Sequence, residues 1–270
     1  MTSQPATPTA TGQLSGQVCR PSELSAAQRR RMADLLHEFF ENVTAAQFEH
    51  DLGEKEWVVL LCDSGSGEIQ GFSTLMRLQL TVDDRPVTAF YSGDTIIHPS
   101  YWQEAELPRV WGRHVFAQAE AVTEDEGGGE VYWFLISSGY KTYRFLPVFF
   151  REFYPSYAQP TPSHIRRVIE ALAAVKFPGQ YDTARGIIRF DAASPLRAGV
   201  AEVTDERLKD PHVAFFVQAN PGHAQGEQLA CLVRLTRDNL TPAGRRMLAS
   251  RAEAEESHAK SQRRQEEKKK

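Results

Sequence analysis

The sequence predicts an α/β fold: a mixed, mostly antiparallel central sheet flanked by helices, with extra strands towards the C-terminus. Three observations carry this expectation. Segments of helical and strand periodicity alternate along the chain. The run Val-Tyr-Trp-Phe-Leu-Ile at 131–136 is short and wholly apolar, the pattern of a strand in the middle of a sheet. Two apolar runs, 56–62 and 69–78, are joined by Asp-Ser-Gly-Ser-Gly-Glu and read as an antiparallel hairpin.

The elements follow in order. Residues 1–18 are mostly Thr, Ser, Pro, Gly, Gln and Ala, too poor in large apolar groups to offset ordering entropy, so a disordered tail is predicted. Met32, Leu35, Leu36, Phe39 and Phe40 recur at helical spacing, and 48–52 reads as a second, short helix. After the hairpin, a turn at 82–86 leads into a long strand over 87–98, broken by Pro99. A helix over 107–122 and a glycine-rich loop precede the central strand at 131–136. Ser137, Ser138 and Gly139 then turn the chain into a helix over 140–150, which Pro147 interrupts. Another helix covers 163–174. The apolar runs 186–190, 213–217 and 228–235 read as strands. The last two flank the turn at 220–226 and should join the same sheet. From Arg245 the chain is charged and reads as a tail that buries no core. One domain over 19–244 is expected between the tails 1–18 and 245–270.

Composition narrows the function. The 270 residues are 41% hydrophobic and 24% charged, ordinary for a globular enzyme, and the net charge of −4 leaves no footprint for non-specific nucleic-acid binding. Cys19, Cys62 and Cys231 show no CxxC spacing, which argues against a disulfide framework or a cysteine zinc site and for free thiols in a reducing compartment. No apolar run is long enough to span a bilayer, and the N-terminus lacks the pattern of a secretory signal, so a cytoplasmic location without membrane contact is expected. A Gly-x-Ser-x-Gly elbow, a P-loop and a dinucleotide fingerprint are missing. His212 and His223 have no third ligand at metal spacing, so no metal is expected.

Two segments resemble parts of the GNAT acyltransferase superfamily. Ile96-Ile97-His98-Pro99-Ser100-Tyr101-Trp102-Gln103 is similar to the family's strand and donor loop, and Leu107 to His114 stands where the next helix begins. Phe134-Leu135-Ile136-Ser137-Ser138-Gly139 resembles the strand that splays from its neighbour to admit a pantetheine arm. The resemblance covers roughly 24–157 and rests more on element order than on motif identity. It implies transfer of an acyl group from a thioester to an amine. The donor is an acyl-CoA or an acyl-carrier protein, and the acceptor a peptide or small-molecule amine. No cofactor is bound permanently. The donor loop departs from the family: Glu104 and Glu106 stand where a glycine pair is usual, and the general-acid position falls on Phe149 or Phe150. The lost glycines, with the apolar and aromatic stretch from Val131 to Tyr157, point to a medium or long acyl chain, against core packing for those aromatics. The departures also suit the alternative, a catalytically inactive module that binds acyl thioesters or proteins.

The candidate residues follow from chemistry and resemblance together. Asp94, inside a long apolar strand, is the expected base, its carboxyl raised by desolvation. The alternative is a cap beside Gly93 or an ion pair. Simple alternation puts Ser92, Asp94, Ile96 and His98 on one face. His98 is a second catalytic candidate, against a loop histidine bonded to backbone. Backbone N–H groups of Ile96, Ile97 and His98 would polarise the thioester. Gln103, Arg109, Gly112 and Arg113 would hold the donor's phosphates at a helix start, with Gly112 allowing close approach, against solvated helix positions for Arg109 and Arg113. Ser137 would hold the pantetheine and Ser138 would protonate the leaving thiolate, against simple turn chemistry for both. Tyr143 and Tyr154 would line an acyl or acceptor pocket, against core packing.

Overall fold

The computed structural model describes residues 12–125 and 129–249. Strand β1 (Leu14–Cys19) runs antiparallel to β2 (Trp57–Asp63), with helices α1 (Ala26–Phe39) and α2 (Ala45–Gly53) between them. Ser25 starts α1: its hydroxyl accepts from the Gln28 N–H while the Gln28 side chain accepts from the Ser25 N–H. The hairpin is completed by β3 (Ile69–Val82), which returns into β4 (Arg85–Ile97) through a turn with Asp83 and Asp84 at positive φ. Helix α3 (Glu106–Asp125) crosses over to β5 (Glu130–Ser137), which pairs parallel with β4.

Beyond β5 come two short helices, α4 (Tyr140–Tyr143) and α5 (Phe145–Phe149), then α6 (Ser163–Lys176) and a small hairpin of β6 (Tyr181–Asp182) and β7 (Ile187–Ile188). Helices α7 (Asp205–Leu208) and α8 (Pro211–Ala219) precede β8 (Gln228–Arg234), and α9 (Pro242–Leu248) follows it. The strands form one sheet of eight in the order β1-β2-β3-β4-β5-β8-β7-β6, and β4–β5 is its parallel pair. This is the mixed, mostly antiparallel sheet that the sequence predicted.

Two layers cover the sheet. Trp57, Phe90, Trp133 and Cys231 face α3, α5, α8 and α9. On the opposite face Tyr91, Tyr132, Phe134 and Leu232 pack on α6, while Val58, Leu60, Phe72 and Ile96 pack on α1 and α2. Burial of these apolar faces is the main force holding the layers.

Four expectations are corrected. The segment 213–217 is not a strand but the middle of α8, where Asp210 caps the His212 N–H, Pro211 opens the first turn, and Val213 and Phe216 are buried. A five-residue apolar run carries no period that separates strand from helix; the Asp-Pro start decides it. The expected N-terminal tail includes β1, whose hydrogen bonds to β2 compensate for its few apolar side chains. The charged tail begins later than 245, because α9 places Met247, 4% exposed, in the core; residues 250–270 lie outside the described residues. The helix expected over 140–150 is broken at Arg144 into α4 and α5, before Pro147.

Candidate active site

Parallel pairing of β4 with β5 ends at Ser92 opposite Leu135. Past that rung β4 continues alone to Ile97, paired only with β3, and the two strands diverge. A cleft opens in the gap, with about 540 Å³ of empty space when the open solvent at its mouth is included. Ser92, Gly93 and Thr95 form its β4 wall, and Trp133, Leu135 and Ile136 its β5 wall. Leu107 and Trp111 of α3, Phe145 and Phe149 of α5, and Met247 of α9 close it from the helical side.

The register of β3 against β4 shifts here: Leu75 pairs with Ser92 but Ser73 pairs with Thr95. Gly93 and Asp94 therefore stand opposite Thr74 alone, which is a β-bulge. The extra residue inverts the alternation. Before it, Tyr91 faces α6; after it, Ile96 joins the α1–α2 layer and Ile97 packs towards α3. Ser92 and Asp94 thus lie on opposite faces, not on one face as plain alternation predicted.

On the α3 face, Ser92 Oγ accepts from Trp133 Nε1 at 2.9 Å and from Trp111 Nε1 at 3.2 Å. The Ser73 and Thr95 hydroxyls bond each other at 2.8 Å. On the opposite face Asp94 is partly buried among Lys55, Asp51 and Lys176. Burial raises its carboxyl to a pKa of about 6, against the opposing pull of Lys55 and Lys176; Asp51 adds to the rise. Lys55 is 8% exposed and donates to the Asp51 carbonyl at 2.6 Å. Burial holds its ammonium below the ordinary range, and neighbouring Lys176 adds to that. Lys176 in turn pairs with Glu54 at 2.6 Å, and both ammonium groups sit near the Tyr91 ring. The glycine between the two faces leaves the gap open: no side chain stands at position 93.

The remaining sequence candidates divide. The His98 N–H donates to the Gln70 carbonyl of β3, so it cannot polarise a thioester. Successive N–H groups of a strand point to opposite sides, so those of Ile97 and Thr95 point to the side that β5 has left. The Ile97 carbonyl accepts Trp102 Nε1 at 2.8 Å, and the His98 ring takes the Ser100 N–H at 3.4 Å, as a loop histidine does. Ile96 is 4% exposed in the α1–α2 layer.

At the start of α3, Gln103 and Arg113 are exposed and Arg109 is half-buried. Glu106 accepts the Gly16 N–H of β1 at 3.2 Å. Gly112 is corrected: a Cβ there would meet Met247 Cγ at 2.7 Å, so the glycine serves the close approach of α9, not of a phosphate. Ser137 is fully buried and donates to the Gly139 carbonyl at 3.0 Å; neither it nor Ser138 lines the cleft. Tyr143 is fully buried, with its hydroxyl on the Pro155 carbonyl at 2.9 Å and its ring among Phe153, Phe215 and Phe216. Tyr154 donates to Glu152, and burial together with that carboxylate pushes its hydroxyl up to about 12. Both tyrosines are core residues outside the cleft. The aromatic walls are Trp111, Trp133, Phe145, Phe149 and Phe150 instead.

Sequence reasoning gave Ser92 no role of its own, because the bulge that sends Asp94 to the opposite face leaves no mark except Gly93. It missed Lys55 and Lys176, which look like ordinary surface lysines until α2, α6 and β4 converge. Among the described residues no group of three or more His, Cys, Asp or Glu is placed to hold a metal ion, and no helix is long and apolar enough to cross a membrane.

The splayed parallel pair, the hairpin before it and the helix after β4 are the features that the sequence resemblance implied. The architecture is GNAT-like. No family model and no curated protein matches the chain. Among solved structures, it is similar to a probable N-acyltransferase of unknown function from Enterococcus faecalis V583, at 14% identity and a TM-score of 0.38. That overlap covers 52% of this chain and 33% of the other, so the chain spans about a third of that protein's length. A GNAT family N-acetyltransferase from Escherichia coli, solved with CoA, overlaps at 15% identity and a TM-score of 0.33, covering 54% of this chain and 71% of the other. Glucosamine-6-phosphate N-acetyltransferase from Arabidopsis thaliana gives 14% identity and a TM-score of 0.29, over 44% and 81% of the two chains. With identities this low and TM-scores below 0.5, these overlaps assign no residue a role.

Proposed function

We propose that the chain is an N-acyltransferase that takes an acyl thioester from the α3 face and an amine from the Asp94 face. The observation that carries this reading is the pairing of an open gap between β4 and β5 with a raised carboxyl on the far side of it. Gly93 puts no side chain between a thioester carbonyl in the gap and the Asp94 face, and an acceptor must approach from that face, because Asp94 itself does not line the cleft. Asp94 takes a proton from the acceptor ammonium, and the nitrogen attacks the carbonyl carbon. The Ile97 and Thr95 N–H groups lie on the side where an oxyanion would form. The C–N bond forms, the C–S bond breaks, and the thiolate leaves by the α3 side as a thiol, taking the second proton that the attacking nitrogen sheds. The local charge suits a cationic acceptor: Asp51, Glu54 and Asp94 outnumber Lys55 and Lys176.

On the donor side, Glu104 and Glu106 stand near the start of α3, where they oppose a diphosphate. Recognition then rests on the pantetheine arm and the acyl chain, whether carried by CoA or by a carrier protein. The aromatic lining favours medium or long chains. The test is thiol release from a panel of acyl-CoA and acyl-pantetheine thioesters with and without added amines. Release that depends on an amine supports the proposal; a failure of every thioester to bind sinks it.

A second reading keeps the cleft without turnover. It is favoured by one observation: the cleft lining contains no tyrosine or histidine to protonate the departing thiolate. A thioester that co-purifies with the protein and is not consumed on addition of amines would support this binding module over the enzyme.

A further inference from the structure

The Ser92 hydroxyl is left with a single role. Its oxygen accepts two indole N–H groups, at 2.9 and 3.2 Å, which occupy both lone pairs. Its own proton meets no acceptor among the described residues. The residue is 6% exposed and lines the cleft, and the two indole rings that hold it are 4.4 Å apart. Two donors on one oxygen polarise the O–H and strengthen it as a donor.

The immediate surroundings of this hydroxyl are apolar. Trp111, Trp133, Leu135 and Phe150 around it are apolar apart from the indole N–H groups already spent on it. The hydroxyls of Ser73 and Thr95, further along the gap, bond each other and so spend one of their two protons. A donor with no partner in an apolar site is costly to leave unmet. An oxygen on the ligand that only accepts is its natural complement.

Position narrows where that oxygen lies. Ser92 stands on the last rung shared by β4 and β5, one residue before the bulge where the reacting carbonyl would sit. We infer that the acyl group carried into the cleft bears a second carbonyl oxygen within the first few carbons from the thioester, as in a 3-oxoacyl group, held by the Ser92 O–H. The inference rests on the reading of the cleft as the thioester site and adds the chemical class of the acyl group.

The experiment compares S-acetoacetyl-pantetheine with S-butanoyl-pantetheine, which match in chain length and differ at the second oxygen. Binding to the full chain is measured by calorimetry, so no acceptor is required. Acetoacetyl should bind about tenfold or more tighter, because a site built around a hydrogen bond discriminates against the analogue that lacks it. In Ser92→Ala that ratio should fall to about one. If this variant fails to fold with two indoles unpaired, the wild-type ratio alone still decides. Equal affinities in the wild-type protein overturn the inference, as does a ratio that survives in a folded Ser92→Ala variant. If butanoyl-pantetheine binds and acetoacetyl-pantetheine gains nothing, only this inference falls; if neither binds, the thioester reading falls with it.

Discussion

Gly93 of the bulge and Lys55 at the end of α2 stand in contact: a Cβ on Gly93 would come within 2.8 Å of Lys55 Cε, and within 2.6 Å of Thr74 Oγ1. The glycine thus sets both the openness of the gap and the seat of the lysine beside Asp94. Gly93→Ala should push Lys55 from its place. Overpacking of this kind costs about 1–3 kcal/mol, or roughly 2–4 °C in Tm per kcal/mol for a chain of this size. A thermal melt and a thiol-release assay on the variant check it. An unchanged Tm with unchanged turnover would mean that the contact relaxes freely.

The acid-base behaviour of Asp94 follows from its raised pKa. As a base it works when ionised, so the rate should climb as pH rises through about 6. Asp94→Asn should lose that limb and about 10²–10⁴ in rate. The effect on stability has the opposite sign. A carboxyl raised on folding favours the folded state below its ordinary pKa, and that contribution is lost as pH rises through about 6. Urea melts of wild type and Asp94→Asn should therefore diverge in favour of the variant as pH rises from 4 to 7. Parallel curves would show that Asp94 titrates near its ordinary value.

Much of this was legible in the sequence, for reasons that differ by element. The β2–β3 hairpin declared itself through two apolar runs around a Gly-Ser turn, and β5 through an unbroken apolar run. Asp94 declared itself as a charge inside such a strand. The bulge did not: one added residue leaves the composition of β4 unchanged while moving Asp94 to the face opposite Ser92. Gly112 misled because glycine near a helix start suits a phosphate as well as it suits a neighbouring helix, and only the fold places Met247 against it. Tyr143 and Tyr154 misled because cores and pockets draw on the same aromatic residues.

The contact between Gly112 and Met247 predicts non-additive stability. Met247→Ala should cost about 2–5 kcal/mol, as large-to-small core changes do. Gly112→Ala alone should also destabilise, since its Cβ would strike Met247. In the double variant the new methyl enters space that Met247 has left, so the combined loss should be less than the sum. Additive losses in denaturant melts would place α9 elsewhere.

The aromatic residues predict which changes alter donor choice. Tyr143→Phe removes the hydrogen bond to Pro155 and should cost about 1 kcal/mol of stability without changing chain-length preference. Phe149→Ala widens the cleft and should shift preference towards longer acyl chains. Each further buried methylene adds about 0.8 kcal/mol, so octanoyl should exceed acetyl in kcat/KM with a common acceptor. A match between acetyl and octanoyl would mean that the cleft's aromatic walls serve packing alone.

The reading of the gap as a two-sided site is tested most directly by amine-dependent thiol release from an acyl-pantetheine thioester, with Asp94→Asn run in parallel. The account predicts release that needs both the amine and the Asp94 carboxylate, while the variant still binds the thioester with wild-type affinity, because Asp94 lies on the face away from Ser92, Trp111 and Trp133. Thioester binding lost in Asp94→Asn, or release that proceeds equally without amine, would contradict it.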